Sequence, residues 1–182
     1  MLMTQTPDGT PQIKRITDFL SSGSFDGFTS KDLFIKQIVK KGWGQDIVAL
    51  SNMAEALTNI AIQNTPKLRE CRSLLHEVVA RAMHGSVIPY NSSSLLKVTK
   101  YGNHGYYLEH MNIILGACGR CGVHDYKDIN EAISRHLVDL SMEQKNYHAP
   151  LMPHVKMRWS ADQAAIIYSV WLYDQNYNTD LH

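Results

Sequence analysis

The sequence predicts an all-α fold of consecutive antiparallel helical hairpins arranged in two layers. Two observations carry this prediction. Apolar residues recur at helical spacing in segment after segment, and no alternating strand pattern persists beyond a few residues. Segments that are apolar on every side also alternate with amphipathic ones. An inner layer covered on both faces and an outer layer with one wet face need that alternation.

Taken in order, Met1 to about Pro11 is polar and expected to be loose. Ile13, Ile16, Phe19 and Leu20 have the spacing of a short helix. The Gly- and Ser-rich SSGSFDGFTS reads as a loop, and Ser30 caps a helix through Leu33, Phe34, Ile38 and Val39. Residues 1–29 thus form a loose N-terminal segment with a short helix, and residues 30–182 the helical-hairpin domain. From Gln45 to Asn64, Ile47, Leu50, Ala54, Leu57 and Ala61 share one face. Ser51, Asn52, Glu55, Thr58 and Asn59 form an opposite face that is polar but nearly uncharged.

The helix from Pro66 to His84 is punctuated by Thr65 as N-cap, Pro66 at its first position and Gly85 after its end. Leu68, Cys71, Leu75, Val78 and Ala82 form its stripe. Tyr106 to Cys121 is apolar nearly all round, which implies burial on all sides. Gly116, Ala117 and Gly119 there either admit a close neighbour or fray the end. Asp125 starts another amphipathic helix, with Ile129, Ile133, Leu137 and Leu140 inward. Ser160 opens the last helix, with Gln163 completing a capping box. Ala164, Ala165, Ile166, Ile167, Val170, Trp171 and Leu172 again make it apolar all round.

The bulk numbers exclude several function classes. A chain of 182 residues is one domain by size and buries a core without disulfides or metals. With a net charge of +1 and no basic block, nucleic acid is not an expected partner. No apolar run is long enough to span a bilayer, and the start lacks the pattern of a secretory signal, so a cytoplasmic location is expected. Cys71, Cys118 and Cys121 are too few for a disulfide framework. Cys118-Gly-Arg-Cys121 is a lone C-x-x-C, explained as well by small residues packed near a helix end. His148 and His154 with His104 or His110 have no metal-ligand spacing, so no metal is expected. No P-loop, dinucleotide fingerprint or nucleophile elbow occurs, so no nucleotide cofactor is expected either.

The richest polar cluster stands at the start of the all-apolar helix: Tyr101, Asn103, His104, Tyr106, Tyr107, Glu109, His110 and Asn112. Helical spacing puts Tyr106 and His110 on one face and Glu109 and Asn112 on another. A buried Glu or His needs a partner or shifts its pKa, and either suits acid/base work. The same residues also serve simply to satisfy loop carbonyls, and both readings stand. Asp162 sits in a first helical turn, where the dipole favours a carboxylate in any case.

The segment HGYYLEHMNIILGACGRCGVHDY resembles bacterial helical-toroid proteins related to linalool dehydratase/isomerase, as do ALSNMAEALTNIA, VVARAMHGSVIPY and WSADQAAIIYSVWLYD. The resemblance covers about Gly44 to Asp174, some three hairpins. It implies a partial (α/α) toroid whose pocket lies at the inner-helix starts, with Tyr106, His110, Trp159 and Asp162 at its mouth. It further implies lyase or isomerase chemistry on a small hydroxylated compound, terpenoid- or sugar-like, without an organic cofactor. His110 and Glu109 are then the acid/base candidates, and Tyr107, His104 and Asn112 join the substrate-binding set. Three hairpins do not close a ring, so a homo-oligomer or a missing remainder of the toroid is expected to cover the exposed inner helices. The alternative is a non-catalytic hairpin module that scaffolds a partner or its own oligomer.

Overall fold

The computed structural model describes residues 8–22, 43–84, 104–144, 148–150 and 159–182, with the backbone alone for 22 and 43–46. Among them are six α-helices: α1 (Thr10–Ser22), α2 (Trp43–Gln63), α3 (Leu68–Ala82), α4 (Gly105–Arg120), α5 (Lys127–Met142) and α6 (Ser160–Tyr177). A single 3-10 turn, Thr65–Lys67, joins α2 to α3. No strand is present among the described residues, so the all-α expectation holds. The helix expected after Ser30 and the cap expected at Gly85 lie outside the described residues.

α4 is the hub. It packs against α2 on one side and α6 on the other, α3 contacts both α2 and α4, and α5 contacts both α4 and α6. This explains its composition. Leu108, Met111, Ile114, Leu115, Ala117 and Cys118 are all sealed from water, because neighbours surround the helix. α3 and α5 bury only a stripe. Cys71, Leu75, Val78 and Ala82 face inward on α3, as do Ile133, Leu137 and Leu140 on α5. Ile13 and Ile16 of α1 join the same core.

The glycines of α4 set the spacing of the α4–α6 pair. A Cβ on Gly116 would stand 2.9 Å from Leu172 Cβ, and one on Gly119 would stand 2.5 Å from Asn176 Nδ2. Asn176 uses that approach to donate to the Gly116 carbonyl at 2.8 Å. Close helix approach, not fraying, is what these residues provide.

Four local expectations are corrected. Asn64, not Thr65, takes the N-cap position before the 3-10 turn, and α3 proper begins at Leu68 with no side-chain cap. α5 begins at Lys127 rather than Asp125. α6 opens without a side-chain cap from Trp159 or Ser160. Gln163 is drawn away instead, since Ala149 N donates to its Oε1 and its Nε2 donates to the Ala149 carbonyl, both at 3.1 Å. Finally, α6 is not buried all round: Ile167 is 63% and Trp171 40% exposed. The described residues cover only part of its circumference. On the polar face of α2, Ser51 and Thr58 are buried against α4.

Candidate acid/base site

α4 brings two neighbouring residues, Glu109 and His110, into the interior where α2 and α6 flank it. The Glu109 side chain is 1% exposed and that of His110 14%. Neither Glu109 oxygen has a well-formed hydrogen bond among the described residues. Burial pushes its carboxyl up to about 10, and the Asp162 carboxyl of α6 pushes in the same direction through its charge and as a hydrogen-bond partner. Glu109 is therefore a protonated acid at neutral pH. Asp162, buried at the start of α6, is also raised by desolvation, while hydrogen bonding from Glu109 and its own backbone pulls it back. Both carboxyls are raised by burial, and Glu109, the more deeply buried, is the one raised the further.

His110 is neutral because burial lowers its pKa to about 4. Its tautomer follows from the hydrogen-bond pattern. Ser51 Oγ donates its one proton to the Val48 carbonyl at 2.9 Å, so it can only accept from His110 Nδ1, also at 2.9 Å. Nδ1 carries the hydrogen, and the lone pair of Nε2 points into the site, 3.5 Å from Glu109 Oε1. With acid protonated and imidazole neutral, this contact is not an ion pair.

Tyr106 packs edge-on to His110 with ring centroids 5.3 Å apart. Burial and the charges of Asp162 and Glu109 push its phenol up to about 12, so it remains a hydroxyl. The structure thus gathers Tyr106, Glu109, His110 and Asp162. Trp159 stands at the N-cap of α6, 37% exposed, and His104 at the N-cap of α4, half-buried. Tyr107 points elsewhere, its hydroxyl donating to the Ala82 carbonyl at the end of α3 at 2.9 Å.

Asn112 belongs to a separate knot. Its Nδ2 donates to Ser134 Oγ at 2.9 Å and Ser169 Oγ at 3.1 Å, and its Oδ1 accepts from Asn130 Nδ2 at 2.6 Å. That binds α4 to α5 and α6. Tyr101, Asn103 and His154 lie outside the described residues. Ser51 is the site residue that sequence reasoning missed. The available signal was the near absence of charge on the polar face of α2, which marks a face that meets protein rather than water.

Among the described residues no group of three or more His, Cys, Asp or Glu side chains is gathered around a metal-sized gap, and no helix is long and apolar enough to cross a membrane. Cys118 and Cys121 are buried free thiols that burial pushes upward, Cys118 to about 12. Both are poor nucleophiles.

Fold and site together define an all-helical hairpin protein with a buried carboxyl pair beside a neutral imidazole. No family model matches the chain, and no curated protein or solved structure is similar to it.

Proposed function

We propose that this chain is a partial (α/α)-toroid module, of the linalool dehydratase/isomerase-like kind, that transforms a small hydroxylated compound by proton transfer. The observation that carries the reading is Glu109, a fully buried carboxyl held protonated, with no well-formed hydrogen bond among the described residues and a second carboxyl, Asp162, beside it. A carboxyl with no structural bond to make is costly to bury, and proton transfer is a use that offsets the cost. In loss of water from an alcohol, Glu109 gives its proton to the departing hydroxyl. Asp162 takes one from the neighbouring carbon, leaving a double bond and water. The proton then returns from Asp162 to Glu109, so the site resets without a cofactor. His110, its Nδ1 pinned by Ser51, is the positioning residue that turns Nε2 towards Glu109. Tyr106 and Trp159 shape the approach.

The test is incubation with terpenoid alcohols and methyl glycosides in D2O, followed by proton NMR for alkene signals or carbon-bound exchange. The wild type should convert or exchange one class. Glu109→Gln and Asp162→Asn should each lose that activity, and His110→Ala should lose most of it, with circular dichroism retained. If no compound reacts, and His110→Ala simply unfolds, the cluster is structural. A second reading, self-association, is favoured by the exposed Ile167 and Trp171 on α6. Light scattering across a dilution series decides it: a constant dimer mass supports pairing through α6, and a monomer at every concentration rejects it.

A further inference from the structure

At the other end of α4, about 17 Å along its axis from Glu109, α2, α3 and α4 surround an open cleft of about 390 Å3. That is ample for a small ligand. One side is apolar, with Ala61, Ile62 and Leu68, and Ile62 is 56% exposed at the lip. The other side is lined by Arg72 and Arg120.

The two cations differ in their partners. Arg72 Nε donates to the Cys121 carbonyl at 2.6 Å, which fixes the plane of its guanidinium, and it has no carboxylate partner among the described residues. Arg120 Nη1 lies 3.9 Å from Glu55 Oε2, and that oxygen already accepts from the Tyr168 hydroxyl at 3.0 Å. One arginine without a carboxylate partner among the described residues and one held only in a loose 3.9 Å pair thus line the same cleft. Thr65 of the 3-10 turn and Leu68, the first residue of α3, complete the lining. Cys121 in the wall stays a neutral thiol, because burial outweighs the two arginines.

We propose that this cleft binds a small organic anion, an oxyanion carried on a short apolar body. Arg72 and Arg120 fork the anion, and the apolar body lies along Ala61, Ile62 and Leu68. Guanidinium groups match the planar spacing of carboxylate and phosphate oxygens, and Arg72 is already oriented by its backbone bond. The site shares no residue with the acid pair, so it stands whether or not that reading does.

Titration with hexyl phosphate and hexanoate, followed by calorimetry and amide NMR, tests it, with inorganic phosphate and hexan-1-ol as the two half-ligands. At least one of the two whole anions should bind about tenfold or more tighter than either half-ligand, and which one it is separates phosphate from carboxylate recognition. The shifts should centre on Leu68, Arg72 and Gly122, and affinity should fall as salt is raised. Arg72→Gln and Arg120→Gln should each weaken binding about tenfold, the loss of one charge-assisted contact. Ile62→Ser should weaken the whole anions but leave inorganic phosphate unchanged. If Arg72→Gln lowers the melting temperature by disturbing the Cys121 turn, Arg120→Gln and Ile62→Ser carry the test. Binding no tighter than hexan-1-ol, or no tighter than inorganic phosphate, overturns the proposal, as does indifference to Arg120→Gln.

Discussion

Glu109 and Asn112 stand three residues apart on α4, both with no exposure at all, and they are opposite kinds of buried polar group. Asn112 is bonded on both its oxygen and its nitrogen, to partners on two other helices. Glu109 has no well-formed bond among the described residues and keeps a proton to remain neutral. A satisfied polar group fixes how helices assemble, whereas an unsatisfied one is a cost that only a task justifies. Burial alone does not separate the two. Their bonding does.

Breaking the satisfied member should have the largest effect. Asn112→Ala strands Asn130 Nδ2 and leaves Ser134 and Ser169 without their shared partner. Urea denaturation should show a loss of roughly 3 kcal/mol. A loss under about 1 kcal/mol would mean that water replaces the knot and the contrast is false.

The next effect concerns the protonated acid and appears in pH dependence. Glu109 rises from an ordinary 4.5 to about 10 on folding, so between those values the folded state holds a proton that the unfolded state releases. Its stabilising contribution is complete below about 4.5 and is lost as pH rises towards 10. His110 works in the other direction. Its pKa falls from 6.5 to about 4 on folding, so its contribution is present above 6.5 and is lost as pH falls through 4. Between 6.5 and about 9, below the range of the raised thiols, the Glu109 limb dominates, and the unfolding constant should rise by up to about tenfold per pH unit. Glu109→Gln should flatten that alkaline limb and leave the acid limb in place, as read from melting temperatures across pH. An unchanged alkaline slope would show that Glu109 is ionised in the folded protein.

The smallest effect sharpens the role of His110. Ser51→Ala removes the acceptor that fixes Nδ1–H, and should cost roughly 1 kcal/mol. Nitrogen-15 shifts of the imidazole should then move from a single Nδ1–H tautomer towards a mixture. A tautomer unmoved by the change would show that something other than Ser51 sets it.

Much of the helical scaffold was legible in the sequence because burial on one face writes a periodic stripe. The inward residues of α3 and α5 are those that the spacing of Cys71, Leu75, Val78 and Ala82, and of Ile133, Leu137 and Leu140, marked out. The buried hub, α4, was legible from the lack of any wet face. What failed were judgements that depend on neighbours. The face with Ser51 and Thr58 read only as polar and nearly uncharged, and that each hydroxyl meets α4 was not read from it. Ile167 and Trp171 read as core, yet none of the described residues covers them fully. Gln163 read as a cap, yet Ala149, fourteen residues away in sequence, takes both its bonds. Within the candidate cluster, Tyr106, Glu109 and His110 were found from helical spacing and Asp162 from the resemblance. The assignment of Asn112 to a different network needed Asn130, Ser134 and Ser169, which no local pattern brings together.

The bare backbone at Gly116 has a consequence for the acid pair that lies two turns away. Glu109 is on α4 and Asp162 on α6, and the gap between these helices is set where Leu172 rests on that glycine and Asn176 holds its carbonyl. The two helices bearing the carboxyls therefore meet where side chains of α6 rest on bare main chain of α4. If the two carboxyls exchange a proton as proposed, that close contact makes the site preorganised, because the helices holding them need not move as the proton does.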